Sequence, residues 1–301
     1  MVKKLIKPIY RGVHDALFRT LPINPFFSKK KNGKPVIYGH ISKEHLENPE
    51  LDNQLENNLK AAGIPVLKHR INVAAYHEYV KAAEYAPDYY GGGLDPEQNF
   101  VEKTLEHYVT TEIIDFQPET VFMDIAACTS PFFKIVRKLF GCKETYHQDL
   151  IFPDGIHGDR IGGSAGNLPL ENASIDAATL HCSLEHFEDN ADSLLFQDME
   201  RVLKPGGSVL VLPFYIAHEF TNHVDPAFNL LRNHPVNIDE GARLRYCDWY
   251  QFFSRHYDVD ALQNRILKQA PGLELTIYRV ENFREVHPSC YLRWIGKFTR
   301  R

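Results

Sequence analysis

The chain has 301 residues, of which 44% are hydrophobic and 24% charged, and its formal net charge is −5 from 34 basic and 39 acidic side chains. This composition is ordinary for a globular protein, and the acidic balance argues against general nucleic-acid binding, which needs a basic field. The N-terminus lacks the apolar core of a secretory signal, and no apolar run reaches the roughly 20 residues of a membrane-spanning helix, so we expect a cytoplasmic protein.

The five cysteines give no metal or disulfide pattern. They are irregularly spaced, and no two form a Cys-x-x-Cys pair. This spacing argues against a zinc site and against a disulfide framework, and it favours a reducing compartment.

The first segment, residues 3–21, combines apolar residues at near-helical spacing with basic residues. Two interpretations are open: a helix on an anionic membrane surface, such as the inner membrane face, or a short helix packed on the protein. Pro8 interrupts the pattern and Asp15 dilutes the charge, which favours the second interpretation. A short strand at Val36–Tyr38 and a helix starting at Ser42 are predicted next.

Two helical stretches complete the N-terminal third. A polar stretch over residues 51–62 ends at Gly63, and a tyrosine-rich stretch runs from Val73 to Tyr90 and is closed by Gly91. Aromatic clusters belong to a core more often than to a ligand site. We nevertheless predict that residues 1–98 form a helical extension that caps the binding site of the domain that follows.

A strand, a tight turn and a helix start come next. After a helix over Glu102–Thr111, the apolar strand Val121–Ala126 contains Asp124, and Ser130 is placed to cap a helix whose first position is Pro131. Such units bind ligands at the carboxyl ends of parallel strands. The amide-rich helix N-terminus can hold a carboxylate or a phosphate.

A second strand, Glu144–Asp149, ends in an acid. Its distance from the first turn is close to the roughly 20 residues of the dinucleotide pattern, so Asp149 is the expected partner of ribose hydroxyls; the alternative is an aspartate that caps a loop. A third strand ends at Gly162–Ala165. The gap between the two is too short for a full helix, and its glycines indicate a compact loop.

Strands and helices continue to alternate to the C-terminus, which implies a parallel sheet. The predicted elements are a strand at Ala177–His181, a helix from Ser183 to Leu203, a strand at Ser208–Pro213, a helix at Asp258–Gln269, and strands at Leu273–Val280 and Cys290–Phe298.

Three motifs occur in order along this region. Asn167–Asp176 matches a Leu-Pro-Phe…Phe-Asp pattern, Leu184–His186 reads Leu-Glu-His, and Arg201–Gly207 reads Arg-Val-Leu-Lys-Pro-Gly-Gly. With them the chain resembles the class I S-adenosylmethionine-dependent methyltransferases of the ubiquinone/menaquinone-methyltransferase-like type, over roughly Glu119 to Phe214.

The resemblance implies an α/β fold, a Rossmann-like doubly wound sheet that is mostly parallel with an antiparallel last strand, beside the helical N-terminal extension. It implies S-adenosylmethionine as cofactor, bound by a domain over residues 99–301 with an insertion at about 215–246. The residues expected to contact the cofactor are Asp124, Ala126, Ala127, Ser130, Asp149, Leu150, Ser164, Ala165 and His181.

The first turn departs from the family. The glycines of the family's Asp-x-Gly-x-Gly-x-Gly are absent here, where Ala126, Ala127 and Cys128 follow the acid, and Ser164 stands where an acid near the adenine is common. Alanine is the smallest substitute for the close backbone approach that glycine allows. These departures keep an alternative open: a cofactor-binding regulatory protein with the same fold and no turnover.

Methyl transfer to oxygen needs alignment, exclusion of water and a base near neutral pH. The candidates lie at the fourth strand and in the insertion: His181, Glu185, Tyr215 and His218. The insertion is rich in His, Asn and Arg, so we expect O-methylation of a polar small molecule or a carbohydrate. A structural role for each histidine is the alternative.

Other chemistries fit less well. His147 and Asp149 are among mixed ligands near strand ends, but no His-x-x-x-His pair exists and we expect no metal. The fourth strand lacks the Asn/Asp-Pro-Pro-Tyr/Phe motif of nucleic-acid methyltransferases. The oligomeric state is left open, and so is a peripheral membrane contact through the basic N-terminal segment.

Overall fold

A computed structural model of the protein describes residues 30–31, 34–35, 48–90, 96–247, 249 and 251–301. The basic segment 3–21, the strand predicted at Val36–Tyr38 and the helix predicted from Ser42 lie outside these residues. Gly91, predicted to close the tyrosine-rich helix, lies outside them too.

The described residues fall into two compact units. The smaller unit consists of the described residues within Met1–Ala62, Glu185–Asn190 and Tyr215–Gln263. The larger unit consists of those within Gly63–Leu184, Ala191–Phe214 and Asn264–Arg301.

The described strands are, in chain order, β1 (Lys30–Lys31), β2 (Lys34–Pro35), β3 (Val66–His69), β4 (Val121–Ile125), β5 (Glu144–Asp149), β6 (Gly155–His157), β7 (Arg160–Gly162), β8 (Ile175–His181), β9 (Leu203–Leu212), β10 (Thr221–Val224), β11 (Arg243–Tyr246), β12 (Ser254–His256), β13 (Leu273–Val280) and β14 (Trp294–Arg300).

The described α-helices are α1 (Pro49–Ala61), α2 (Val73–Ala83), α3 (Pro96–Ile113), α4 (Phe132–Phe140), α5 (Ala191–Val202), α6 (Pro226–Arg232), α7 (Val259–Leu262) and α8 (Phe283–Val286). A 3₁₀ turn covers Leu184–His186, and a π turn covers Gln263–Leu267. Within the described residues, no helix combines the length and the apolar character that crossing a lipid bilayer requires.

The larger unit is built on a nine-stranded sheet in the order β3-β13-β14-β9-β8-β4-β5-β7-β6. Strands β7, β5, β4, β8 and β9 run parallel, and β14 lies antiparallel between β9 and β13. This order confirms the predicted Rossmann-like α/β fold with an antiparallel last strand. Because the order reverses between β4 and β8, their carboxyl ends open the crevice where such sheets bind ligands.

The central strands and α4 follow from their apolar patterns. β4 and β8 are buried along most of their length, as parallel strands covered on both faces should be. In α4 the apolar side chains Phe132, Phe133, Ile135 and Val136 are buried, whereas the basic side chains between them face solvent. The helix stops at Gly141, whose φ of 73° is the left-handed conformation that glycine adopts easily.

Part of the N-terminal third belongs to the larger unit. β3 pairs parallel with β13 at the sheet edge. Tyr76 and Tyr79 of α2 join the same buried cluster as Leu105 and Tyr108 of α3. Residues 63–90 therefore share the core of the sheet. The predicted division after residue 98 stays a prediction.

Two predicted helices are shorter than expected. The tyrosine-rich helix ends at Ala83 because Glu84 adopts a left-handed backbone with φ of 54°. The helix predicted from Ser183 is interrupted between the 3₁₀ turn and α5, where Asp189 is also left-handed, with φ of 52°. Periodicity in the sequence does not show these single-residue breaks.

The C-terminal elements also shift. The helix predicted from Asp258 is α7, which continues as the π turn. The last strand starts at Trp294, not at Cys290, since the Cys290 amide instead closes a turn onto the His287 carbonyl at 3.0 Å. Pro288 within that turn lacks the amide that a strand would use.

The short connection between β5 and β7 contains no helix, as predicted. It forms a hairpin in which β6 pairs antiparallel with β7. Gly162 is required there, because a Cβ atom on it would lie 1.8 Å from the Pro153 carbonyl oxygen. The hairpin replaces a full crossover helix beside α4.

The smaller unit contains a three-stranded sheet in the order β11-β10-β12. Its centre is the buried Arg255, whose guanidinium donates to both carboxylate oxygens of Asp239 at 2.6 and 2.9 Å and to the carbonyls of Phe187 and Asp189. This network fixes the segment around Phe187 to the sheet of the same unit.

Candidate active site at the strand ends

The loop after β4 makes a tight turn without glycine. Ala126 and Cys128 adopt left-handed backbone conformations, with φ of 50° and 48°, at a cost of about 1–2 kcal/mol for a residue with a Cβ atom. The end of β5 holds them. Ala126 N–H donates to Gln148 Oε1 at 3.0 Å, and Cys128 N–H donates to Asp149 Oδ2 at 2.7 Å. Hydrogen bonds thus replace the conformational freedom of the family's glycines.

Gln148 is a site residue that the sequence analysis missed. Its side chain is buried, and Nε2 donates to the Gly163 carbonyl at 2.7 Å while Oε1 accepts from Ala126. Its own carbonyl accepts from Ala127 N–H at 3.1 Å. Gln148 therefore ties together the ends of three strands. Its sequence signal is an amide side chain directly before the strand-ending acid.

The Asp124 carboxylate is fully buried and makes its hydrogen bonds inside the unit. Oδ1 accepts from Thr179 Oγ1 at 3.0 Å and from His181 Nδ1 at 3.1 Å, and Oδ2 accepts from Ser130 Oγ at 2.8 Å. Asp124 therefore positions the loop and His181. Its predicted contact with the cofactor stays a prediction.

Ser130 differs slightly from its predicted role as a helix cap. The cap position of α4 is Pro131, and the helix begins at Phe132. The Ser130 hydroxyl still accepts from Phe132 N–H at 3.2 Å while it donates to Asp124. One side chain thus links the start of α4 to the buried carboxylate.

Asp149 ends β5, and both of its carboxylate oxygens accept hydrogen bonds from backbone amides. Oδ2 accepts from Cys128 N–H and Oδ1 from Ile151 N–H at 3.0 Å, so each oxygen keeps a second lone pair for a hydroxyl donor. The next side chain, Leu150, is 75% exposed and offers an apolar surface that a purine ring would cover. The contacts of Asp149 and Leu150 with an adenosine group stay predictions.

The end of β7 supplies the other predicted adenine contacts. Ser164 is exposed, and its hydroxyl accepts from Gly166 N–H at 3.2 Å, while Ala165 is buried. The hydrogen bond from Gln148 to the Gly163 carbonyl holds this segment next to the loop after β4. The structure thus brings the predicted cofactor residues together in the larger unit, at the carboxyl ends of β4, β5, β7 and β8.

His181 ends β8, and both of its ring nitrogens are engaged. Nδ1 lies 3.1 Å from Asp124 Oδ1, and Nε2 lies 3.1 Å from Thr110 Oγ1. A carboxylate only accepts hydrogen bonds, so Nδ1 carries a proton. The Thr110 hydroxyl also donates to the Glu106 carbonyl at 3.0 Å, and therefore has one hydrogen for two acceptors.

One face of α3 carries buried titratable side chains that were not predicted from the sequence. Glu102, Lys103, Glu106 and His107 are each at most 8% exposed. They lie at helical spacings of one, three and four residues. The sequence signal is that charged residues occur on every face of this helix. A surface helix packed on a core normally has one apolar face.

A buried ion pair on this face lies next to the residue after His181. Lys103 Nζ lies 3.0 Å from Glu106 Oε1, and Cys182 Sγ donates to the same oxygen at 3.2 Å. Burial works against the ammonium, but the neighbouring Cys182 and Glu106 outweigh it and raise the pKa of Lys103 well above its ordinary value.

His107 lies among the tyrosines of the N-terminal third. Its ring stacks on Phe132 at 4.6 Å and on Tyr85 at 5.8 Å, and Nδ1 lies 2.9 Å from the Tyr85 hydroxyl. Burial lowers the pKa of His107 well below its ordinary value, and His181, 4.8 Å away between ring centroids, lowers it further. His107 is therefore neutral.

The remaining predicted residues belong to the smaller unit. The Tyr215 ring stacks on His256 at 4.9 Å, and Glu185 Oε1 lies 3.5 Å from His186 Nε2. His218 is exposed on the chain that leads to β10. Glu185, Tyr215 and His218 stay predictions for the acceptor side. Within the described residues, no group of three His, Cys, Asp or Glu side chains has an arrangement that could hold a metal ion.

One family model matches part of the chain. Residues 142–211 match the methyltransferase domain family. This segment runs from just before β5 to the end of β9 and includes Asp149 and the Leu-Glu-His motif. No protein of curated function matches the chain.

Solved structures with a similar arrangement are distant in sequence. A 1,6-didemethyltoxoflavin-N1-methyltransferase from Burkholderia thailandensis, solved with S-adenosylhomocysteine, is 14% identical, with a TM-score of 0.45 over 79% of this chain and 93% of that one. An S-adenosylmethionine-dependent methyltransferase from Mesorhizobium loti is 14% identical, with a TM-score of 0.42 over 67% and 100%.

The strand order, the tight loop after β4 and the acid that ends β5 are the features that the sequence predicts for a cofactor site. The matched segment contains Asp149 and nearly all of β9, which begins within the Arg-Val-Leu-Lys-Pro-Gly-Gly motif. The family match over residues 142–211, together with the order of the sheet, supports a methyltransferase domain with S-adenosylmethionine as its cofactor.

Proposed function

We propose that the protein transfers the methyl group to an oxygen atom of a polar small molecule or a carbohydrate. The observation that carries this proposal is the buried ion pair of Lys103 and Glu106, which lies beside Cys182 directly after β8. Burying charges costs several kcal/mol per ion unless polar partners compensate. A pocket for an apolar acceptor would not need these groups, whereas a polar acceptor can exchange hydrogen bonds with them.

The cofactor is held, in this proposal, by the strand ends of the larger unit. Asp149 accepts the ribose hydroxyls, and Leu150 with Ala165 borders the adenine. Ser164 supplies a hydroxyl near the ring edge. When bound, S-adenosylmethionine supplies an electrophilic methyl group on a sulfonium. The backbone of Ala126 and Ala127 would lie beside the bound cofactor.

His181 is the proposed base. Asp124 holds the Nδ1–H, so that the lone pair of Nε2 points to the Thr110 hydroxyl. An acceptor hydroxyl that replaces this contact leaves Thr110 bonded to the Glu106 carbonyl. The acceptor proton moves to Nε2 as the new carbon–oxygen bond forms and the carbon–sulfur bond breaks. The Asp124 carboxylate then stabilises the imidazolium. His218 is the second candidate for this base.

The test is transfer from methyl-labelled S-adenosylmethionine to a panel of polyhydroxylated acceptors, each with a matched methyl ether. We expect product with the free hydroxyls and none with the ethers. H181A should bind S-adenosylhomocysteine like the wild type and lose about 10²–10⁴-fold in kcat. The control variant H77A changes an exposed histidine of α2 and should keep full activity.

Full activity of H181A would exclude His181 as the base and would leave His218 to be tested by H218A. Methylation of amines but not of hydroxyls would contradict the oxygen acceptor. Loss of cofactor binding in H181A would support the predicted contact of His181 with the cofactor and would contradict its role as the base alone.

A further inference from the structure

A cavity opens beside the start of α4, where the hairpin of β6 and β7 stands in place of a crossover helix. Its volume is about 340 Å³, at the lower end of the roughly 300–1,000 Å³ that ligand pockets span. The side chains that decide its chemistry are Phe133, Lys134, His147, Phe152, Asp159 and Arg160. All of them belong to the larger unit.

The cavity carries a positive charge. Lys134 and Arg160 form no ion pair with any residue in the described ranges. Each cation instead lies over an aromatic ring, Lys134 Nζ 5.5 Å from the centre of Phe133 and Arg160 Cζ 5.3 Å from that of Phe152. The acid on the lining, Asp159, lies 3.7 Å from Arg137 Nη1 and is compensated by it. The two cations are therefore available to a ligand.

Two further features face the same cavity. The nine-residue helix α4 begins here, so its positive dipole end adds to the field of the cations. His147 is 6% exposed, and its buried Nε2 atom has no hydrogen-bond partner among the described residues. A buried polar atom without a partner costs about 1–3 kcal/mol. A polar group in the cavity would remove that cost.

We propose that this cavity is a second ligand site, which binds the anionic group of a small organic molecule, a phosphate or a carboxylate, between Lys134, Arg160 and His147. The rings of Phe133 and Phe152 offer an apolar surface for the rest of such a molecule. The lining includes Ser130 of the loop after β4, one of the predicted cofactor residues, so the site adjoins that loop. Asp149, Leu150, Ser164 and His181 are not on the lining, so most of the predicted cofactor residues lie outside it. It does not depend on the proposed acceptor.

The test uses the full chain, with and without saturating S-adenosylhomocysteine. Calorimetry measures the binding of phenyl phosphate, benzoate and inorganic phosphate, with neutral phenol as the uncharged probe. We expect an organic anion to bind at least about tenfold more tightly than phenol, because charge-assisted hydrogen bonds are the strong ones. The phosphate and benzoate arms identify the preferred anion.

Variants assign the site. The double variant K134M/R160M should lose about tenfold or more of the anion affinity and keep its affinity for S-adenosylhomocysteine. H147N should lower the affinity for the anion by a smaller factor. K143M removes an exposed lysine after the end of α4 and should change neither affinity. Thermal unfolding of each variant checks that the fold is retained.

Three outcomes would overturn the proposal. Competition between the anion and S-adenosylhomocysteine would assign the cavity to the cofactor site. Equal binding of phenol and the anions would remove the role of charge. Unchanged anion affinity in K134M/R160M would place the anion elsewhere. A chain that binds the anion but no S-adenosylhomocysteine would contradict the methyltransferase function and leave the anion site standing.

Discussion

At the residue scale, the first loop shows how side chains can replace a glycine motif. Ala126 and Cys128 take backbone conformations that normally favour glycine, and Gln148 and Asp149 of the next strand hold them there. The same carboxylate that we expect to bind the ribose therefore also stabilises the loop. Loop shape and cofactor affinity are coupled through Asp149.

Asp149 gives a direct prediction. D149A removes both acceptors for the ribose hydroxyls and should weaken S-adenosylhomocysteine binding by on the order of 1–3 kcal/mol, since polar groups lose their partners. Calorimetry measures the affinity, and thermal unfolding measures the loss of the bond to Cys128. E171Q changes an exposed acid of the same unit and is the control. Unchanged affinity in D149A would show that Asp149 does not bind the cofactor.

At the element scale, α3 is unusual because ionisable side chains lie on its buried face. Its buried face carries Glu102, Lys103, Glu106 and His107 beside the end of β8. Burial and the neighbouring charge of Glu106 raise the pKa of Glu102 above its ordinary value. Buried ionisable side chains lower the stability of the fold. We propose that this face is retained because the acceptor forms hydrogen bonds with it.

The pH dependence of stability tests this helix. Because the pKa of Glu102 is higher in the folded protein than in the unfolded chain, the folded state binds the proton more tightly. The free energy of unfolding therefore falls as pH rises above the unfolded value of about 4.3. E102Q removes the titrating group and therefore this loss. The free energy of unfolding of E102Q minus that of the wild type should be larger at pH 8 than at pH 5, by about 1–3 kcal/mol.

Denaturant unfolding of wild type and E102Q at both pH values makes the comparison. E119Q, which changes an exposed acid before β4, serves as the control and should keep the wild-type slope. An E102Q protein whose stability still falls with pH as in the wild type would show that Glu102 is not the group responsible.

At the scale of the whole molecule, the N-terminal third contributes to more than one unit. β3 and α2 share the core of the large sheet, and the Tyr76 hydroxyl lies 2.8 Å from Thr104 Oγ1 of α3. The predicted cap over residues 1–98 is thus, in its described part, also a source of core residues. Its proposed contact with the cofactor is a separate question.

Truncation separates these roles. A chain that starts at residue 99 loses Tyr76 and Tyr79 from the core, and each large side chain removed from a core costs about 2–5 kcal/mol. We expect it to unfold at a lower temperature than a chain that starts at Gly63, which keeps β3 and α2. Calorimetric unfolding and S-adenosylhomocysteine binding compare the two chains. Equal stability and equal affinity would contradict both the core role and the capping role.

The sequence by itself determined the central strands of the sheet and the polar residues near their carboxyl ends. Apolar strands alternate with helices, and short motifs fix their order, so the strands around Asp124, Asp149 and His181 could be located without coordinates. The missing helix between β5 and β7 was also predicted, because too few residues separate the two strands. These features depend on local pattern and on chain length.

The tertiary structure alone decided which polar side chains face one another. Gln148 bridges three strand ends, Asp124 is enclosed by Thr179, Ser130 and His181, and α3 buries its charges. The residues in each of these sets are distant in sequence, and nothing in local periodicity relates Glu106 to Cys182. Hydrogen bonds and burial depend on how separate elements pack, and that packing is a property of the folded chain.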